Sequence, residues 1–291
     1  MDVGIGLPNA VPGTTGAQLT EWAHNADLAG FSSLGTIDRI AYPNLEPLVA
    51  LGAAAAVTDR IKLATTILIA PTRVNAVLLA KQAASVHLIS GGRMVLGIAV
   101  GGRSDDYEVS GVDFESRGGE NFERMLHEIK HTWANSNESS GAAHHAGVGP
   151  DVADSPPELV IGGTIDATYR RAAEFGDGWI AGGAPPEQLA AGRDKMVAAW
   201  KEAGREGEPK TLALAYFSLG DQAEEAANRY IGDYYEWLGE YAGQIAQSVA
   251  KDAETVRQYN QAFADAGCDE LFWIPSSSDP GQVDLLAEAA L

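Results

Sequence analysis

Eight short apolar runs, rich in β-branched residues, recur along the chain with longer amphipathic stretches between them. They fall at residues 3–7, 32–37, 61–69, 93–100, 158–161, 178–181, 211–219 and 269–274. In the stretches between, apolar residues return at helical spacing, as Leu19, Trp22, Ala23 and Ala26 do, with Glu21, Asn25 and Asp27 on other faces. Three junctions share one design: ADLAGFSSLGTI (26–37), AAEFGDGWIAGG (172–183) and FADAGCDELFWI (263–274). Each is a helix end, a glycine and then an apolar strand, so Gly30, Gly176 and Gly267 are expected as left-handed helix stops. A helix that feeds a buried strand, repeated in this way, means parallel βαβ units. Eight such units in 291 residues predict an α/β fold, a single (β/α)8 TIM barrel spanning residues 1–291. Two stretches interrupt the alternation. Residues 135–157 read as a long surface excursion rich in Gly, Ser, Pro and Ala. Residues 221–262 are long enough for two or three helices and gather Tyr230, Tyr234, Tyr235, Trp237 and Tyr241, which are expected to pack rather than to form a lid.

Charge narrows the partners. Forty acidic residues against twenty Lys and Arg give a formal charge of −20, which repels phosphate backbones and anionic lipid. The longest apolar run, 47–57, is far below the roughly 20 residues of a membrane span. The single cysteine, Cys268, allows no intrachain disulfide, and the N-terminus MDVGIGLPNA reads as a strand, not a signal peptide. A cytoplasmic protein that engages neither nucleic acid nor membrane is expected.

One motif misleads. His127-Glu-Ile-Lys-His131 matches the zinc-protease pattern. However, Phe122, Met125, Leu126, Ile129 and Trp133 form the apolar stripe of that helix, which puts both histidines roughly 140–180° away, on the solvent side. Ala134 and Asn137 stand where the metzincin continuation needs Gly and His, and the His144–His145 pair lies in the loop, so no metal site is expected. No nucleophile elbow, Walker A or GxGxxG fingerprint occurs. Cys268 enters the last strand at the end away from a barrel's catalytic rim, a structural position.

The chemistry-bearing signals lie at the other, C-terminal strand ends. GIAVGGRSDDY (97–107) puts Gly101, Gly102 and Arg103 after the fourth strand. VIGGTIDATYRRAA (160–173) puts Gly162, Gly163, Thr164 and Thr168 at the start of a helix, where amides, hydroxyls and the positive dipole end favour a phosphate. A glycine turn joining strand to helix would read similarly, but two of them on one barrel rim point to a phosphate-bearing ligand.

Taken in order, these segments resemble the bacterial luciferase-like family of flavin-dependent oxidoreductases. The likeness is densest over 55–118 and returns over 157–183 and 269–290. It implies the barrel derived above and identifies the phosphate ligand as reduced FMN or the deazaflavin F420. It also implies that Thr66–Ile67 holds a non-prolyl cis peptide behind the ring, and that Val100, Gly101 and Gly102 line the cofactor edge. Gly162, Gly163, Thr164 and Thr168 would then hold its phosphate, with Gly178 and Trp179 beside them. The chain departs from the family at Asp38–Arg39, where many deazaflavin members have Asp-His, and at Gly102, where sugar-phosphate dehydrogenases carry an acid. Asp38, Arg39 and Arg103 are the candidates for substrate contact, against a plain salt-bridged rim. The expected activity is monooxygenation of a small organic molecule with reduced FMN and oxygen. F420-dependent hydride transfer and flavin binding without turnover are the alternatives. Candidate partners are the organic substrate, a separate flavin reductase and a second copy of the chain.

Overall fold

The computed structural model describes residues 1–137 and 147–291, so residues 138–146 of the 135–157 excursion, the His144–His145 pair among them, lie outside the described residues. The first half of the chain runs β1 (Asp2–Gly6), α1 (Gly16–Ala29), β2 (Ser33–Thr36), α2 (Pro47–Ala55), β3 (Lys62–Thr65), β4 (Leu68–Ile69), α3 (Ala76–Ile89), β5 (Met94–Ala99), α4 (Ser104–Val109) and α5 (Gly119–Ala134). The second half runs β6 (Glu158–Gly162), α6 (Asp166–Phe175), β7 (Gly178–Ile180), α7 (Pro186–Glu202), β8 (Lys210–Phe217), α8 (Ala223–Tyr234), α9 (Glu240–Gln247), α10 (Ala253–Asp265), β9 (Glu270–Pro275) and α11 (Gly281–Ala290). The strands pair in the order β3-β2-β1-β9-β8-β7-β6-β5-β4, all in parallel, and β3 also pairs with β5, which closes the sheet into a barrel. This is the expected (β/α)8 barrel, its third strand divided into β3 and β4. No described helix is long and apolar enough to cross a membrane.

Strand alternation sorts the residues into two cores. In β8, Leu212, Leu214 and Tyr216 belong to the cluster that fills the lumen, while Ala213, Ala215 and Phe217 belong to the one under the helices. The lumen is plugged by Phe272, whose ring has room only because Gly4 and Gly35 lack side chains. A Cβ at either would lie 2.9 or 2.8 Å from the ring. Side-chain caps start α1, α2, α3 and α10, from Thr15, Glu46, Asn75 and Asp252, the first with Gln18 in a reciprocal capping box.

Two expectations change. Gly30 and Gly267 are left-handed, at φ 105° and 82°, but Gly176 is extended at φ −97°. Gly176 is needed for space instead, because a Cβ there would meet the carbonyls of Ala172 and Leu159 at 3.0 and 3.1 Å. The second change concerns Thr66–Ile67, which is a trans peptide; the cis bond found among the described residues is Gly149–Pro150. The third strand still bends there, by a β-bulge. Ala64 pairs with Val95 and Leu68 with Ile98, so this strand takes four steps where β5 takes three. Thr65 bridges the gap through its hydroxyl, which accepts from the Gly97 amide at 2.8 Å and donates to the Gly97 carbonyl at 2.6 Å.

The region 221–262 holds α8, α9 and most of α10, with a 3-10 turn at Glu236–Leu238. Tyr230 and Tyr234 are buried, as packing predicts, while Trp237 is 57% exposed.

Candidate active site

The bulge in the third strand aims Ile67 into the barrel mouth. Its Cγ2 comes so near Gly162, at the end of β6, that a Cβ on that glycine would lie 2.9 Å away. Gly162 therefore keeps open a cavity of about 420 Å3, within the ordinary range for small-ligand sites. Ile67, Val100 and Ile180 make its apolar walls, and Gly101, left-handed at φ 67°, turns the chain past Ile69 at its edge.

The other end of the cavity is polar. Thr164 is exposed there, and Thr168 lies near the start of α6, 5% exposed, with its hydroxyl against Gly163. Arg117 and Arg171 line the same cavity. Arg171 donates from Nε to Glu123 Oε1 at 3.0 Å, and Arg117 lies over the Phe114 ring at 3.5 Å, within 3.9 Å of Glu115. Two hydroxyls, two guanidinium groups and a helix start around one cavity favour an anion. Sequence reasoning missed both arginines. Arg171 was within its reach, standing three residues beyond Thr168 and so on the same face of α6. Arg117 was not, since it arrives from a different loop.

A second lobe of about 230 Å3 shares Thr66, Ile67, Gly101 and Gly182 with the first. Asp38, Arg39, Gly102 and Arg103 line it, so the three candidate substrate contacts lie together at the mouth. Two of them are also held in ion pairs. Asp38 accepts from the Ile69 amide at 2.8 Å and from Arg73 at 2.9 Å, and Arg73 also meets Glu46. Burial raises the Asp38 carboxyl above its usual range, with Arg73 opposing. Arg39 donates to Asp106 at 2.7 Å and Asp105 at 2.6 Å, while Asp106 also accepts the Ile40 and Ala41 amides. Arg103 makes no salt bridge among the described residues; it donates to the Tyr234 carbonyl at 2.7 Å and stacks on that ring at 4.6 Å. Burial holds its guanidinium below the usual value.

Tyr216, Tyr234 and Tyr235 roof this lobe, and Tyr230 packs against the first two. Tyr216, Tyr230, Tyr234 and Tyr235 are all raised above the ordinary value of 10.0, chiefly by burial. They are therefore neutral hydroxyls at physiological pH. An unfolded chain releases these protons near pH 10 and the folded one keeps them, so the folded state binds more protons above that pH. Their contribution to stability is expected to hold up to about pH 10 and to be lost as pH rises further, with tyrosinate absorbance from this cluster appearing together with unfolding. Tyrosinate absorbance from all four in a still-folded protein would contradict their burial.

Other expected residues lie elsewhere. Gly178 begins β7, at the end away from the mouth, pressed so close to Lys210 that a Cβ would lie 2.6 Å from its carbonyl oxygen. Trp179 faces outward, buried against Tyr169 and Gly192, and reaches the site only through its indole N–H on the Gly163 carbonyl at 2.6 Å. Neither lines the cavity, because β7 is three residues long and its mouth end is Ile180. His127 and His131 are exposed on α5, the first edge-on to Phe175 and the second beside Asn135. Replacing both with alanine is expected to cost no more than about 1 kcal/mol in urea unfolding, the value of one aromatic contact. A chelator should leave the melting curve unmoved. Cys268 is buried at the start of β9 and its thiol is pushed up to about 12 by burial, which leaves it unreactive.

Comparison with known proteins agrees with this fold. A family model described as luciferase-like monooxygenase matches residues 1–269. An uncharacterized protein of Mycobacterium tuberculosis is 31% identical over an alignment of 215 residues that covers 63% of this chain and 71% of the relative. Among solved structures, an F420-dependent secondary alcohol dehydrogenase in complex with an F420-acetone adduct superposes with a TM-score of 0.79 at 17% identity, covering 99% of this chain and 97% of its own. The oxygenating constituent of 3,6-diketocamphane monooxygenase from Pseudomonas putida, a type II Baeyer-Villiger monooxygenase in complex with FMN, gives 0.73 at 16% identity, covering 99% and 96%. At such identities these two structures share the fold.

Proposed function

The chain belongs to the luciferase-like monooxygenase family, and on that premise we propose that it takes up reduced FMN from a separate flavin reductase and oxygenates a small organic substrate. The observation that carries this reading is the two-ended cavity, with Ile67, Val100 and Ile180 on its apolar side and Thr164, Thr168, Arg117 and Arg171 on its polar side. A flat ring with a phosphate on a short chain fits that division. The Gly162 position supports it, since any side chain there would close the apolar end.

FMN is favoured over F420 by the charges around the phosphate end. Glu115, Glu123 and Asp166 stand beside its arginines and threonines, with side chains 85%, 42% and 77% exposed. They pair with Arg117, Arg171 and Lys195 at 3.9, 3.0 and 3.0 Å, so this end has no surplus positive charge for the acidic tail of F420, while one terminal phosphate can still take the guanidinium N–H groups that those pairs leave free. Arg39 and Arg73 add little to a basic groove because carboxylates already neutralise them.

Bound reduced FMN would supply two electrons and, with dioxygen, the oxygen atom for the substrate. The protein's part is position and dryness. The Thr66–Ile67 bulge backs the ring, the amides and side chains at the start of α6 hold the phosphate, and the tyrosine roof excludes water. Arg103 is the substrate contact. Asp38 and Arg39 are positioning residues that fix the rim through their ion pairs. Titration with FMN, reduced FMN and F420, followed by melting temperature, tests the reading. FMN at a hundred times its dissociation constant should stabilise the fold by about 2.7 kcal/mol. Stabilisation by F420 alone would replace the oxygenase reading with hydride transfer.

A further inference from the structure

A third cavity opens sideways from the mouth. It measures about 610 Å3 and lies between the loop after β7, the end of β8, and helices α9 and α10. Leu214, Leu238, Ile245 and Phe263 make it largely apolar, and Tyr259, stacked on Trp273 and bonded to the Ser248 carbonyl, fixes one wall. Its one formal charge among the described residues is Glu187; no lysine or arginine among them lines it. Gly183, Leu214, Tyr216 and Tyr235 line both this recess and the second lobe of the mouth, so the two spaces adjoin there. At that junction the hydroxyls of Tyr216 and Tyr235 meet at 2.8 Å. One O–H donates to the other, which leaves the second O–H to donate to a ligand oxygen.

We propose, building on the FMN reading, that this recess receives the apolar body of an uncharged substrate. The substrate's one acceptor oxygen hydrogen-bonds the Tyr216–Tyr235 pair, and its reacting end reaches the mouth. The recess selects by what it lacks as well as by what it offers. A carboxylate carried deep into the recess, away from the Tyr216–Tyr235 junction and from Arg103 beside Tyr235, would meet Glu187 and no cation among the described lining residues, so a charged tail is rejected. The apolar walls gain with each methylene buried.

The test is calorimetric titration of the full chain with straight-chain alcohols from butanol to dodecanol. Affinity should rise about fourfold per methylene, the ~0.8 kcal/mol of a buried CH2, until the recess is full. Ala184→Trp, in a loop position that lines only the recess, should end that rise several carbons earlier and leave FMN affinity unchanged. Should that variant fail to fold, Ile245→Trp serves from the α9 side. The alcohol of equal length with a carboxylate at its far end should bind about tenfold more weakly, and Glu187→Gln should narrow the gap. No dependence on chain length, the same plateau in a folded variant and the parent, or equal binding of the carboxylate would each overturn the assignment. If FMN does not bind but the alcohol series behaves as stated, the cofactor reading falls and the recess assignment stands.

Discussion

Replacing Arg117 and Arg171 together with alanine is expected to weaken FMN binding by about 3–6 kcal/mol, roughly a hundred- to ten-thousand-fold. Each arginine would otherwise give a charge-assisted hydrogen bond to the phosphate, worth about 1.5–3 kcal/mol. Losing Arg171 also leaves Glu123, its partner at 3.0 Å, unpaired beside the anion. Removing the hydroxyls of Thr164 and Thr168 should cost less, about 2–4 kcal/mol for two donors. Riboflavin, which has no phosphate, separates this from general damage. It should bind the double-arginine variant and the parent about equally. Arg171→Lys should fall between, keeping the charge and losing the planar fork. If riboflavin and FMN lose affinity equally, the two arginines support the fold of the mouth instead of the phosphate.

The largest stability effect is expected at Asp106. This residue is fully buried and holds three groups: the Arg39 Nε at 2.7 Å and the amides of Ile40 and Ala41 at 2.7 and 2.8 Å. Asp106→Ala would leave a buried guanidinium with one carboxylate partner, the exposed Asp105, beside the Ala41 carbonyl at 3.4 Å, and two amides without this acceptor. A loss of about 3–5 kcal/mol is expected, a large share of the roughly 5–15 kcal/mol of a typical domain. Asp105→Ala is the contrast. Its side chain is 54% exposed, so its pair with Arg39 should be worth about 1 kcal/mol or less. Urea unfolding of both variants decides between them. Near-equal losses would show that burial does not set the value of this rim network.

That network also marks where sequence reading stops. The strand count and parallel order were legible because each strand is an apolar run set between helical repeats, buried on both faces. The polar end of the cavity was half legible. Thr164 and Thr168 follow a glycine turn within one continuous motif, whereas Arg117 comes from a loop that no local pattern ties to α6. Gly178 and Trp179 were placed beside the ligand by resemblance, yet strand alternation turns the tryptophan outward. The resemblance implies a cis peptide at Thr66–Ile67, where the chain instead has a trans bond and a β-bulge, since register is a property of paired strands. Pairing partners fix it, and a single strand's residues do not. Arg39 shows the same limit: its spacing placed it on the rim, but only the folded chain brings Asp105 and Asp106 to it.

The most direct measurement is a crystal structure of the protein soaked with FMN under reducing conditions. The ring should lie against Ile67 and Val100, with the phosphate within hydrogen-bond reach of Thr164, Thr168, Arg117 and Arg171. A phosphate bound elsewhere, or a ring seated away from the Thr66–Ile67 bulge, would contradict the proposed cofactor site.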